Sequence, residues 1–377
     1  MESLKGATLP SFLLIWAAIE QCAYLSNARH QGNSENLSGL ADKLAEGFYV
    51  PWLIKFQNPV GNVTSNVPID SSASAIIATM VLVTGGTGFI GGRVVERLLQ
   101  SGEAVRILLK PNKKNPNLPK NVALNIAVSS LKDERGLRSA MKNVETIFHF
   151  ATAEHQGPTA DLEGVDVDGS EHLMNAAQEA GVKSVLFLGR IGADKSSSYP
   201  ILRAKAIAEG IIRKQKIPYC ILRLTDVFGA GDHFTTEIAA GIRKAHLIYP
   251  LPAEGKTLVQ PLWIEDLVSA IMLIYKHKQF RNEIIEIGGG EFFEFRQVVH
   301  IIMATIGKQR ALTSIAPAYL RVINLWFRRA GGVLPLQTSW LDLLAVERTC
   351  ALDSLTSHFS ILPARFSNHL DYLKNEG

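Results

Sequence analysis

The chain has few cysteines, no long hydrophobic run and little net charge. Its three cysteines, Cys22, Cys220 and Cys350, are odd in number and lie far apart in 377 residues, so they form neither a disulfide framework nor a regularly spaced metal site. No stretch reaches the roughly 18 apolar residues that a membrane-spanning helix needs. The net charge of +4 is too small and dispersed for nucleic-acid binding. We therefore expect a cytoplasmic or equivalent reducing compartment, no metal and no nucleic-acid partner.

The most informative segment joins an apolar run to closely spaced glycines. Met80–Val83 is typical of a buried strand, and Gly86–Gly91 fits the pattern G-x-G-x-x-G. Ile90, Val94 and Leu98 then repeat with helical spacing. A strand, a glycine turn and a helix start in this order are the context that the motif requires. The segment predicts a dinucleotide whose pyrophosphate lies at the helix N-terminus.

Each glycine of this turn has a physical role. Gly85 and Gly86 permit a tight turn, Gly88 lets the main chain approach a pyrophosphate, and Gly91 lets the helix pack against the strand. Unpaired amides at the helix start and the helix dipole favour the negative phosphates. The alternative is a glycine-rich loop without a ligand. The predicted cofactor-binding residues here are Gly85, Gly86, Thr87, Gly88, Phe89, Ile90 and Gly91.

The residues after the second predicted strand bear on which dinucleotide binds. NAD-binding forms place an acidic residue about 20 positions past the glycines, on the adenosine ribose, but no Asp or Glu occurs between residues 105 and 120. The basic residues near this position are Lys110, Lys113, Lys114 and Arg93. Such a cluster suits the extra 2′-phosphate of NADP(H), so NADP(H) is favoured, and NAD(H) is the alternative. The same charges are also typical of a solvated basic loop.

The chain divides into three predicted parts: an N-terminal extension and linker (1–75), a dinucleotide-binding domain (76–232) and a smaller C-terminal lobe interleaved with it (233–377). Strand and helix patterns alternate from residue 77, which predicts an α/β fold with a doubly wound parallel sheet. The predicted strands lie near 78–84, 104–109, 122–127, 145–150, 184–188 and 219–223. The predicted helices lie near 89–101, 133–142, 168–180 with Asp168 as its cap, 202–215, 264–277 and 319–329.

The N-terminal extension contains two apolar pieces, Phe12–Leu25 and Phe48–Phe56. One interpretation is that both pack on the main domain. The other is an arm for a membrane surface or a protein complex, because aromatic amphipathic segments suit a membrane interface. A secretory signal is disfavoured, since Lys5 is the only positive charge before the first piece and Glu2 offsets it.

Several further segments accompany the glycine motif: Ile147–Ala151, Ala176–Lys183, Ala204–Glu209, Ile221–Arg223, Val227–Asp232 and Gln260–Asp266. With them the chain, over about residues 79–374, resembles the extended and atypical short-chain dehydrogenase/reductases, which include NAD(P)-dependent epimerase/dehydratase-like and NmrA-like proteins. It is most similar to the atypical branch that contains the nucleotide-binding accessory subunit of respiratory complex I. The resemblance implies a Rossmann fold that binds NAD(P)(H).

Enzymes of this superfamily use a Ser, a Tyr and a Lys four residues after the Tyr. The register of Ala204–Glu209 makes Lys205 the family lysine, which the resemblance implies is a donor to the cofactor ribose. Ile201 stands where the Tyr is expected, and Gly189 and Arg190 stand where the Ser is expected. Two of the three catalytic positions therefore depart from the pattern.

Tyr199 is the one tyrosine close to this motif and the candidate for a shifted active site. Pro200 follows it, and proline favours the first position of a helix. Tyr199 is therefore expected at the helix cap, off the face that carries Lys205.

The resemblance implies further cofactor contacts around the predicted cleft. Ser130 stands where family members carry an Asp on the adenine, and Phe150 and Ala151 follow the fourth strand. Arg223 either braces the nicotinamide side or pairs with an acid such as Asp226. Of the nearby histidines, His149 is expected in the core, and His155 is better placed to meet a substrate.

The sequence is compatible with three functions. The first is an oxidoreductase whose hydride comes from the nicotinamide and whose proton is handled by Tyr199, a loop residue or water. The second is a non-catalytic cofactor-binding or redox-sensing subunit of a membrane-associated complex, with peripheral membrane attachment. The third is a sugar-nucleotide epimerase or dehydratase. The missing Tyr and Ser favour the second.

Overall fold

The computed structural model describes residues 80–111, 124–157, 160–316, 344 and 346–375. The N-terminal extension, the lysines Lys113 and Lys114 and the helix predicted near 319–329 lie outside these ranges. What the sequence indicates for them stays a prediction.

The described ranges contain thirteen strands and nine α-helices. The strands are β1 Met80–Thr84, β2 Ala104–Leu109, β3 Asn125–Val128, β4 Val144–His149, β5 Ser184–Arg190, β6 Tyr219–Leu224, β7 Val227–Phe228, β8 Ile248–Pro252, β9 Leu258–Val259, β10 Leu262–Trp263, β11 Glu283–Ile287, β12 Phe293–Glu294 and β13 Ala311–Ile315. The helices are α1 Phe89–Gln100, α2 Glu134–Ala140, α3 Asp168–Glu179, α4 Pro200–Lys214, α5 Thr235–Lys244, α6 Ile264–Lys276, α7 Phe295–Thr305, α8 Ser354–Phe359 and α9 Tyr372–Asn375. Single 3₁₀ turns occur at Ala253–Gly255, Lys278–Phe280 and Phe366–His369.

Seven of these strands form a parallel sheet in the order β11-β6-β5-β4-β1-β2-β3. The chain runs outward from β1 to β3 and then returns to β4 on the other side of β1. Ligands of such sheets bind outside the carboxyl ends of the strands at this reversal. The predicted α/β fold with a doubly wound, Rossmann-type parallel sheet is confirmed, and β11 adds a strand that the sequence did not indicate.

The strand sequences explain why helices cover both faces of the sheet. Val81 and Val83 pack on one face and Leu82 on the other, as the alternation of a strand requires. The first face is covered by α1 and α6, whose buried residues include Val94, Leu98, Leu267 and Ile271. The second is covered by α2, α3 and α4, whose buried residues include Leu137, Leu173 and Ile212.

The start of α3 differs from the prediction. A π-helical turn, Glu163–Val167, runs directly into α3, so Asp168 continues a helix and does not cap one. Asp161 accepts a hydrogen bond from the Gly164 amide at 2.9 Å instead. A π turn is rare and frequently marks a functional site. Gly164 and Val165 of this turn line the cleft that is described below.

A second core lies beyond β6. Its buried residues come mainly from α5, α7 and β8, and they include Phe228, Ile238, Tyr249, Phe295 and Phe366. β11 follows residue 232 in the sequence and yet pairs with β6 of the main sheet. The predicted division into two interleaved domains with a boundary at residue 232 stays a prediction. No helix of the described ranges is long and apolar enough to cross a membrane.

Candidate functional site

The glycine turn is closely packed where β1 meets α1. Gly85 has a φ of +69°, and its carbonyl accepts a hydrogen bond from the Gly88 amide at 3.0 Å. A Cβ on Gly91 would collide with that carbonyl oxygen and lie 2.8 Å from the Gly85 carbonyl carbon. The first turn of α1 holds no acidic residue, so its unpaired amides present positive potential. The turn therefore fits a pyrophosphate.

A cleft of about 620 Å³ runs along the carboxyl ends of the central strands. On its β2–β3 side the lining includes Lys110, Ser129, Ser130, Leu131, Lys132 and Asp161. On its β5–β6 side the lining includes Arg190, Lys205, Thr225, Asp226, His155, His233 and Glu237. The volume is in the range of small-molecule and cofactor sites, about 300–1,000 Å³.

The structure brings most of the predicted site residues into this cleft. Those that line it are Gly85, Thr87, Gly88, Phe89, Ile90, Gly91, Lys110, Ser130, Phe150, Ala151 and Lys205. Gly86, Arg93, Tyr199 and Arg223 are not part of the lining. Gly86 packs on Ile107 beneath the turn. Arg223 is hydrogen-bonded to Glu209 and Glu286 and not to Asp226.

The position of α4 at which enzymes of the superfamily carry their tyrosine holds an isoleucine in this chain. Tyr199 is the N-cap of α4 and Pro200 its first residue, as the proline indicates. Ile201, one turn before Lys205, is a buried apolar side chain. Among the described residues that line the cleft, none is a tyrosine.

Lys205 is fixed at the cleft by a buried carboxylate. Its Nζ lies 3.1 Å from Asp166 Oδ1 and 5.6 Å from the centre of the Phe187 ring. Asp166 belongs to the π turn and also accepts hydrogen bonds from Thr152 Oγ1 at 2.6 Å and the Ala153 amide at 2.9 Å. The ammonium group is thereby positioned without a tyrosine neighbour.

Arg190, at the serine position, forms a buried ion-pair cluster. Its Nε donates to Glu154 Oε1 at 2.7 Å, and its Nη1 donates to Asp226 Oδ1 at 3.2 Å. Arg348 donates to the other oxygen of Asp226 at 2.7 Å. Burial favours a raised pKa for Glu154, but the Arg190 guanidinium outweighs it and holds the pKa below its usual range. The same carboxylates raise the pKa of Arg190 against the effect of its burial.

Sequence reasoning missed Glu154 and Asp226 as the partners of Arg190, and Asp166 as the partner of Lys205. Glu154 follows β4, Arg190 ends β5 and Asp226 follows β6. Since these strands are neighbours and parallel, the residues after them meet at one edge. This position after adjacent strands is the signal that could have found them.

The two histidines near β4 have different surroundings. His149 is fully buried and hydrogen-bonded with Thr84 Oγ1 at 2.8 Å and Ser170 Oγ at 2.9 Å, which confirms it as a core histidine. His155 is exposed, and its ring stacks on His233 at 4.2 Å. Within the described ranges, no group of three or more His, Cys, Asp or Glu side chains is arranged to hold a metal ion.

His149 makes the stability of the protein depend on pH. Burial and the nearby Lys205 lower its pKa to about 4, so between pH about 6.5 and 4 the unfolded chain binds the proton more readily. Acidification through this window should remove up to about 3 kcal/mol of unfolding free energy. Urea unfolding at several pH values should show a smaller loss in His149→Phe. His172→Phe, outside the cleft lining, is the matched control and should keep the wild-type dependence of unfolding free energy on pH. The same dependence in His149→Phe would contradict the attribution of the acid loss to His149.

The parallel sheet, the glycine turn and the cleft across the strand reversal define a nicotinamide dinucleotide-binding protein of the atypical short-chain dehydrogenase/reductase type. The profile of the NAD dependent epimerase/dehydratase family matches residues 81–288. The chain belongs to that family, and within the superfamily it lies near the complex I subunit branch.

The names of the individual relatives describe different roles. Subunit 9 of the NADH dehydrogenase [ubiquinone] 1 alpha subcomplex, mitochondrial, from Mus musculus is 28% identical over 283 residues, 74% of this chain and 72% of the relative. Photosystem II assembly factor Ycf39 from Cyanophora paradoxa is 26% identical over 148 residues, 39% of this chain and 46% of that protein. The solved structure of MoeE5 in complex with UDP-glucose and NAD has a TM-score of 0.60 at 20% identity and covers 78% of this chain and 97% of its own.

Proposed function

We propose that the protein binds NADP(H) as a non-catalytic component of a multiprotein complex. The observation that carries the proposal is Arg190, which occupies the position expected for the substrate-orienting serine and is held there by Glu154 and Asp226. A guanidinium with a raised pKa stays protonated and accepts no hydrogen bond, so it cannot replace the serine hydroxyl, which both donates and accepts. The cleft therefore keeps its cofactor side and lacks the usual chemistry of the substrate side.

The missing tyrosine supports the same proposal. A general acid or base must lie within hydrogen-bond reach of the transferred proton and typically contributes roughly 10²–10⁴-fold. Ile201 offers no such group, and the Nζ of Lys205 is paired with Asp166. A bound nicotinamide can supply hydride, but these residues only bind and orient it. Lys205 would hold the nicotinamide ribose and α1 the pyrophosphate.

The preference for NADP(H) over NAD(H) rests on the β2–β3 side of the cleft. Lys110, at the end of β2, and Lys132, after β3, both line this side, where the adenosine ribose of such folds lies. Two ammonium groups there suit a 2′-phosphate better than a hydroxyl. Lys113 and Lys114 follow Lys110 in the sequence and would add to the effect.

Membership of a complex is proposed from the relatives and from the extension. One relative is named as a subunit of NADH dehydrogenase and another as a photosystem II assembly factor. The apolar pieces of residues 1–75 are the part that we assign to a partner protein or to peripheral contact with a membrane surface, in a reducing compartment.

A second candidate function is that of an oxidoreductase or epimerase. It is favoured by the stacked rings of His155 and His233 and by Glu237, which lies 3.3 Å from His233 Nδ1. All three line the β5–β6 side of the cleft, and an imidazole is a common general acid or base.

Turnover measurements separate the two functions. The full-length protein, saturated with NADPH, is incubated with panels of carbonyl compounds and UDP-sugars while NADPH absorbance and sugar products are followed. We expect a single nucleotide retained per chain and neither NADPH consumption nor epimerised product. Substrate-dependent turnover that disappears in His155→Gln would contradict the non-catalytic proposal and support the enzyme.

A further inference from the structure

An acidic residue reaches the adenosine side of the cleft from a loop distant in sequence. Lys132 Nζ lies 3.2 Å from Asp161 Oδ2, and both residues line the cleft beside Lys110. Lys132 follows β3, whereas Asp161 precedes the π turn. The ion pair therefore joins two loops across the β2–β3 side of the cleft.

The carboxylate of Asp161 is held in place by the π turn. Its Oδ1 accepts a hydrogen bond from the Gly164 amide at 2.9 Å. A Cβ on Gly164 would lie 2.5 Å from Lys132 Nζ and would overlap the Asp161 carboxylate, so a larger residue there would displace the pair from this geometry. The Gly164 amide, then Lys132 and Lys110, lower the pKa of Asp161. Asp161 is therefore ionised at neutral pH.

We propose that Asp161, with Lys132, determines how strongly the cleft discriminates between NADP(H) and NAD(H). The inference rests on the proposed dinucleotide binding and deepens it. No acid occurs at the end of β2, where NAD-binding forms carry the residue that contacts the adenosine ribose. Asp161 supplies a carboxylate at that side from a different loop.

The negative charge of Asp161 counteracts the attraction of the basic residues for a 2′-phosphate. A 2′-phosphate must compete with Asp161 for the Lys132 ammonium and is repelled by the carboxylate, whereas the neutral 2′-hydroxyl of NAD(H) is not. Asp161 thereby reduces the preference for NADP(H) that Lys110 and Lys132 alone would produce. Because both members of the pair are exposed, the effect should be moderate and sensitive to salt.

Neutralising Asp161 tests the proposal directly. Asp161→Asn keeps an oxygen for the Gly164 amide and removes the charge. The ratio of NADPH to NADH affinity, from fluorescence titration of the full chain, should rise about three- to tenfold at low salt and less at high salt. Lys132→Gln should lower the ratio. Glu163→Gln, which removes a neighbouring exposed carboxylate outside the cleft lining, should leave it unchanged.

The outcomes distinguish this inference from the proposed function. If wild-type protein binds both nucleotides but Asp161→Asn does not raise the ratio, the role of Asp161 is overturned while cofactor binding stands. The same holds if Glu163→Gln raises the ratio equally, because the effect would then be one of general charge. If wild-type protein binds neither nucleotide, the proposed function fails and the inference fails with it.

Discussion

Gly91→Ala is expected to weaken dinucleotide binding by roughly 100-fold, because about 3 kcal/mol of hydrogen bonding from the turn amides to the charged pyrophosphate would be lost. The added Cβ would collide with the Gly85 carbonyl oxygen and lie 3.0 Å from Gly86 Cα. These are backbone atoms of the turn itself, so no side-chain rotation can relieve the overlap. Either the turn or the start of α1 must move, and the amides then no longer converge on the pyrophosphate.

The neighbouring glycine provides a matched control. A Cβ on Gly92 would meet only the Gly86 carbonyl oxygen, at 3.8 Å, which is ordinary van der Waals contact. Gly92→Ala should therefore retain wild-type affinity and stabilise α1 by up to about 1 kcal/mol. NADPH fluorescence titration and thermal unfolding of both variants check the prediction. Equal affinity of Gly91→Ala and Gly92→Ala for NADPH would contradict it.

Arg190→Met should lower the unfolding free energy by about 3–5 kcal/mol, because it leaves the buried Glu154 carboxylate without its cationic partner. Asp226 keeps Arg348 but loses its bond to Arg190, and the Glu154 and Asp226 side chains are only 6% and 2% exposed. Arg138→Met is the control, since Arg138 pairs with Glu134 on the surface and such pairs contribute at most about 1 kcal/mol. Urea unfolding of both variants measures the difference.

The loss of unfolding free energy in Arg190→Met should be larger at neutral pH than in acid. In the wild type the depressed pKa of Glu154 gives stability that is present above its unfolded pKa, about 4.3, and is lost as the pH falls below it. In Arg190→Met this contribution is absent, so the difference between the proteins should be largest near neutral pH and should shrink in acid. A deficit no larger than that of Arg138→Met would show that the cluster is not a stabilising unit.

Local segments of the fold were predictable from the sequence. β1, the glycine turn and α1 are contiguous, and their apolar spacing changes from strand to helix within a few residues, so the pattern alone located them. β11 was missed because Glu283 and Glu286 interrupt a five-residue edge strand, and because its pairing with β6 joins segments about 60 residues apart. Nothing local indicates which strand an edge strand will join.

In the candidate site, too, residues within a local motif were predictable and contacts between distant segments were not. The glycines and Lys205 were predictable because a motif fixes their register. The ion pairs were not: Arg348 meets Asp226 across 122 positions and Lys132 meets Asp161 across 29, separations that only the folded sheet brings together. Asp168 was predicted as a cap because it precedes a helical pattern, and the π turn before it could not be recognised from spacing.

Calorimetric titration of the folded, nucleotide-free full-length protein with each nicotinamide dinucleotide tests the proposed cofactor site most directly. We expect a single site per chain that binds NADPH, with weaker binding of NADH, and loss of the heat of binding in Gly91→Ala but not in Gly92→Ala. Absence of heat with every oxidised and reduced form, in protein shown to be folded and free of bound nucleotide, would contradict it.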